Sequence, residues 1–140
     1  MMIAVSILLT AITVQAAGMI PQGLWEVEQV TVEKATDSSL KINIYNTAGE
    51  MQSYLPCPQE WEIGDAQTIK LRYADGWEET AKYTLEGNQL KIHAAAAMQS
   101  YQYSIEGETI TLSCTYNYLN NLPTGQTERI EEKWIMILKK

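Results

Sequence analysis

Beyond residue 17 the chain is built from short stretches whose apolar positions recur every second residue. Leu40-Lys41-Ile42-Asn43-Ile44-Tyr45 and Thr68-Ile69-Lys70-Leu71-Arg72-Tyr73 both carry this period. It is the mark of a strand with one buried face. The pattern predicts eight strands, over residues 24–33, 40–47, 68–74, 77–86, 89–96, 99–106, 109–118 and 127–138. Asp75-Gly76 is a hairpin signal, since both residue types tolerate positive φ. Tyr83-Thr84-Leu85-Glu86-Gly87-Asn88-Gln89-Leu90-Lys91-Ile92 is echoed by Tyr103-Ser104-Ile105-Glu106-Gly107-Glu108-Thr109-Ile110-Thr111-Leu112. Each copy reads as strand, Glu-Gly turn, strand, so two hairpins of one design follow each other. Asn120 to Gly125 is a loop by composition. Between residues 48 and 66 the reading stays open. Met51 to Leu55 extends the second strand or forms a short one, and Pro56 and Pro58 break any ladder there.

Eight consecutive antiparallel strands leave two unpaired edges unless the sheet closes. The predicted fold is therefore all-β, an eight-stranded antiparallel up-and-down barrel. A two-sheet sandwich is the alternative, but its crossovers need longer loops than these tight hairpins offer. In such a barrel successive turns fall at alternate ends. With Trp25 at the closed end, both Glu-Gly turns share that end. The loop at 34–39, Asp75-Gly76, residues 97–98 and the loop at 119–126 share the open one.

The first sixteen residues differ from the rest. Ile3 to Val14 is apolar apart from Ser6, Thr10 and Thr13, too short for a membrane-spanning helix. It ends in Val14-Gln15-Ala16, a small-x-small pattern. Residues 1–16 read as a signal peptide and 17–140 as one barrel domain of an exported protein, periplasmic or secreted. The n-region lacks Lys and Arg, and the alternative is a buried N-terminal element. The segment carries no ionisable side chain, so its removal leaves the formal charge at −7. An acidic chain repels phosphate backbones and anionic lipid, which argues against nucleic acid and membrane surfaces as partners. In an exported chain the two cysteines, Cys57 and Cys114, predict a disulfide. It would close a loop of about 58 residues, worth about 4 kcal/mol in the chain-entropy model. Two buried free thiols are the alternative.

Gly23-Leu24-Trp25 opens the first strand just after Ile20-Pro21-Gln22. It resembles the Gly-x-Trp signature that begins the first strand of lipocalins and related calycins. The repeated Glu-Gly hairpin resembles small exported bacterial lipocalin-like domains. The resemblance implies that Trp25 plugs the closed end of the barrel. It also implies that a basic residue from the last strand packs over the ring, Lys139 or Lys140 here, with Lys139 taken together with Gly23 and Trp25 as the structural set. The family usually has Arg at that place.

Chemistry for catalysis is sparse. His93 is the one histidine and shares the polar face of its strand with Lys91. A serine triad would need it as base, and no Gly-x-Ser-x-Gly elbow exists. Glu78-Glu79 and Glu131-Glu132 are adjacent pairs whose members point to opposite faces, so neither pair converges as a two-carboxylate site, and both read as solvated exterior. No enzyme, cofactor or metal site is expected. The aromatic content is more informative: Phe is absent, yet there are eight Tyr and four Trp. Tyr73, Tyr83, Tyr103, Tyr116 and Trp134 fall on the apolar parity of their strands. The expected role is binding or carrying a small, largely apolar molecule. Trp77, Met98, Tyr101 and Tyr118 stand near the open end, with Tyr116, Trp134 and Met136 deeper. The alternative is a non-catalytic interaction or inhibitor module with a side-chain-filled barrel.

Overall fold

The structure, a computed structural model, describes residues 20–51, 56–93 and 98–140. The proposed signal peptide lies outside them. Nine strands form: β1 (Gly23–Ala35), β2 (Leu40–Tyr45), β3 (Pro58–Ile63), β4 (Thr68–Tyr73), β5 (Glu78–Glu86), β6 (Gln89–His93), β7 (Met98–Glu106), β8 (Thr109–Asn121) and β9 (Thr127–Lys139). Every pairing is antiparallel, and β9 pairs with β1 to close the sheet. The result is the expected eight-stranded up-and-down barrel.

The ninth strand is compatible with eight staves because β2 and β3 share one. β2 pairs with Val30–Ala35 of β1 and β3 with Gly23–Glu26 of the same strand. Both are antiparallel to β1, so they run the same way, and the turns beyond keep their ends. Pro58 is the first residue of β3, where a missing N–H is tolerated. The next stretch slips past β4 between Pro58 and Glu60. β1 has its own irregularity between Val27 and Gln29. Gln59 ties the two together: its Nε2 donates to Val27 O at 2.8 Å, and its Oε1 accepts from Ala48 N at 2.7 Å.

The repeated hairpins fold alike. Leu85 faces Leu90 and Tyr83 faces Ile92, just as Ile105 faces Ile110 and Tyr103 faces Leu112. Gly87 and Gly107 sit at φ 61° and 60°, the left-handed conformation a two-residue hairpin loop requires. The β3–β4 turn takes the same conformation without glycine, with Ala66 at φ 53° and Gln67 at φ 58°. These three turns lie at the Trp25 end. Residues 36–39, 74–77 and 122–126 lie at the far end, as the turn count predicts.

At the Trp25 end, Gly23 has φ 132°, and Trp25 is buried with its Nε1 donating to Pro21 O at 3.1 Å. The cation over its ring is Lys140, with Nζ 5.8 Å from the centroid. Lys139 is exposed on the outer face, because alternation along β9 turns Leu138 inward. Ile20 donates its N–H to the Tyr83 hydroxyl at 3.0 Å and covers this end from below.

One side of the barrel is taller. β7 and β8 are paired only from Gln102–Ser113 to Glu106–Thr109, whereas β8 and β9 stay paired through Asn121–Thr127. β2, β1, β9 and β8 thus form a wall that rises past the other strands. On its outer face Leu40, Ile42 and Ile44 are 62%, 53% and 64% exposed. This reverses the half-buried strand expected there. Val30 and Val32 of β1 face the core, so their partners Tyr45 and Asn43 share the inner face, and the aliphatic set of β2 falls outside.

Candidate functional site

The interior divides into two layers of different chemistry. Near the Trp25 end, Val27, Ile63, Ile69, Leu90, Ile92, Ile110 and Leu138 surround Trp25 and leave almost nothing exposed. Towards the far end the inward positions carry aromatic rings with polar tips and sulfur: Cys57, Tyr73, Tyr101, Cys114, Tyr116 and Met136. Strand alternation places them there. Cys114 and Tyr116 follow Ile110 and Leu112 along β8, and Tyr101 on β7 is the partner of Leu90.

Trp61 links the layers. Its ring meets that of Tyr101 edge-on at 5.5 Å across the interior. Tyr101 donates its hydroxyl to Gln99 Oε1 at 2.8 Å. Tyr116 stands edge-on to Trp134 at 5.3 Å. The Trp61 indole N–H is buried and has no acceptor among the described residues.

Cys57 and Cys114 are free thiols, not the expected disulfide. Both still face the same interior. Cys57 lies at the end of the irregular stretch and points its Sγ at Met136 Sδ, 3.4 Å away. Burial, reinforced by Cys114, pushes the Cys57 thiol up to about 12. Burial also carries Cys114 to about 11, with the Glu132 charge adding and a hydrogen bond from Tyr116 opposing. Tyr73 is pushed up to about 12 by burial and then by Glu79. Burial raises Tyr101 well above the ordinary phenol range, with Tyr116 next in effect. The whole layer resists negative charge.

Above it, on the inner face of the tall wall, is a carboxylate that the sequence reading assigned to solvent. Glu132 is 1% exposed. Its Oε1 accepts from the Tyr118 hydroxyl at 2.8 Å, and its Oε2 from Trp134 Nε1 at 2.5 Å. Lys34 Nζ lies 3.9 Å away. The parity that places Ile130, Trp134, Met136 and Leu138 inside includes position 132, and that was the signal available. Burial and the bond to Glu132 raise the Tyr118 phenol to about 12.

The remaining expected site residues are distributed as follows. Tyr101, Tyr116, Tyr118, Trp134 and Met136 all face inward and form one connected group with Glu132. Trp77 is 56% exposed in the β4–β5 turn, its ring tilted on Tyr73 at 5.0 Å, and it does not join that group. Met98 opens β7, and its side chain is outside what the structure describes. His93 is exposed and its Nε2 is 3.1 Å from Thr84 Oγ1. Where β7 and β8 part, a groove of about 340 Å³ opens on the barrel wall between Gln102, Ser113 and Lys133, and Tyr101 and Cys114 reach it from within. Among the described residues no cluster of His, Cys, Asp and Glu suits a metal ion.

No family model, curated protein or solved structure matches the chain. The closed antiparallel barrel with its Gly-x-Trp end is consistent with a calycin-like fold. No described helix is long and apolar enough to cross a membrane.

Proposed function

We propose that this is an exported, non-catalytic lipocalin-like barrel that binds or carries a small, largely apolar molecule between its aromatic upper layer and the tall wall. The observation that carries this reading is the change in chemistry along the barrel axis. A barrel needing only a core would continue the packing of its lower half, which is aliphatic apart from Trp25 and Tyr83. Instead, six inward positions carry phenols, thiols and a thioether, and a bound carboxylate stands above them. Such surroundings combine large apolar area with a few fixed polar groups, as ligand sites do.

Intrinsic tryptophan fluorescence of delipidated protein, titrated with a panel of lipophiles, tests the reading. Saturable quenching in wild type, weakened in a Tyr116→Ala, Trp134→Ala pair, is expected. An unresponsive wild type rejects it. The exposed stripe of Leu40, Ile42 and Ile44 favours a second reading, an interaction module that offers its outer wall to a protein.

A further inference from the structure

We propose that the interior site takes a neutral lipophile bearing a carbonyl or similar uncharged acceptor oxygen, held by the Trp61 indole N–H. The proposal rests on the carrier reading above and adds the ligand's chemical class.

An indole nitrogen can only donate. Of the three buried tryptophans, two have acceptors: Trp25 donates to Pro21 O and Trp134 to Glu132. Trp61 is as deeply buried and has none among the described residues. Its neighbours do not compensate. Tyr101, against whose ring it packs, gives its hydroxyl to Gln99. Cys57 directs its sulfur to Met136 and Pro58 O. Trp61 Nε1 thus remains a buried donor with no acceptor in reach among the described residues, and buried donors are rarely left so. A bound molecule that supplies an oxygen completes it.

The surroundings select against an anionic oxygen. Glu132 already places a carboxylate in the interior, with Lys34 Nζ 3.9 Å from it. Burial keeps the thiols of Cys57 and Cys114 and the phenol of Tyr101 protonated well past their ordinary range. A second carboxylate beside Trp61 would meet the same desolvation penalty. A ketone, ester or amide oxygen would not. The aromatic rings and Met136 supply the contact for the hydrocarbon part.

The test uses the delipidated full chain with nonan-2-one, nonane and nonanoate as probes. The indole N–H signals are followed by 15N–1H NMR, and the Trp61 peak is identified by its loss in Trp61→Phe. The ketone is expected to bind about tenfold more tightly than the hydrocarbon, the yield of one neutral hydrogen bond. It should shift the Trp61 peak most, and the preference should vanish in Trp61→Phe. Ketone and hydrocarbon binding equally, with the Trp61 signal unmoved, would overturn the acceptor inference while leaving the carrier reading standing. So would nonanoate as the tightest probe, or a Trp61 proton in contact with a retained water when ketone is saturating. No binding of any probe overturns both. The wild-type shift decides the matter even where Trp61→Phe fails to fold.

Discussion

Glu132 is the one buried charged side chain among the described residues, and its removal has a calculable outcome. Glu132→Leu deletes a carboxylate that accepts from Trp134 and Tyr118 and faces Lys34. Removing one member of a buried charged set costs about 3–5 kcal/mol. Here only Trp134 is fully buried. Tyr118 and Lys34 both reach solvent and recover water as a partner, so the lower end applies, about 3 kcal/mol. Most of that is the stranded Trp134 N–H, worth about 1–3 kcal/mol. Glu132→Gln keeps an acceptor for Trp134, and the Tyr118 hydroxyl can turn to accept from the new amide. Only the extra strength of charge-assisted bonds is lost, about 1 kcal/mol. Urea unfolding followed by far-UV circular dichroism reads both values from the midpoint at constant m. Trp134→Phe removes the stranded donor, so the double variant Glu132→Leu, Trp134→Phe should be less damaged than the sum of the singles, by about 1–2 kcal/mol. Glu132→Leu as stable as wild type, with additive singles, would refute the reasoning. Desolvation of the carboxylate would then cancel everything its bonds contribute.

Three further outcomes follow from the same geometry. Cys57 is held protonated in the folded chain up to about 12, against 9.0 for the free thiol. Its folded value is the raised one, so its contribution is complete below pH 9 and disappears as pH climbs towards 12. The urea midpoint should fall across that window, and less steeply in Cys57→Val. Ala66 occupies φ 53° with a methyl group that cannot hydrogen-bond to the turn, so Ala66→Asn should stabilise the chain by about 0.5–1 kcal/mol, measured as a higher urea midpoint. Replacing Leu40, Ile42 and Ile44 together by Thr should lower concentration-dependent association in sedimentation velocity and change stability by no more than about 0.5 kcal/mol per site.

Much of the fold was legible because hairpins are local. Asp75-Gly76 and the paired Glu-Gly turns announced five strands, and the parity of Tyr83, Tyr103, Tyr116 and Trp134 placed those rings inside. What was missed depends on contacts between distant residues. The face that β2 presents is set by Val30 and Val32 of β1, not by its own alternation. β3 was hidden by prolines, since nothing local says that Pro58 sits at a strand's first position. The last two lysines were ordered by the parity of Leu138, which gives the place over Trp25 to Lys140. Glu132 was on the inward parity all along. A carboxylate there reads as solvated until Trp134 and Tyr118 are seen to hold it, and both lie on a wall whose height only the assembled β8–β9 ribbon reveals. The disulfide expectation followed from cysteine count, which cannot see that Met136 stands beside Cys57.

The central claim is that the upper interior holds a small, largely apolar molecule. Native mass spectrometry of the protein purified from its natural source, before and after organic extraction, tests it most directly. The account predicts one small-molecule adduct of defined mass, removed by extraction and regained on adding back the extract. Protein at bare polypeptide mass before extraction, with no adduct from its own organism's lipid extract, would contradict it.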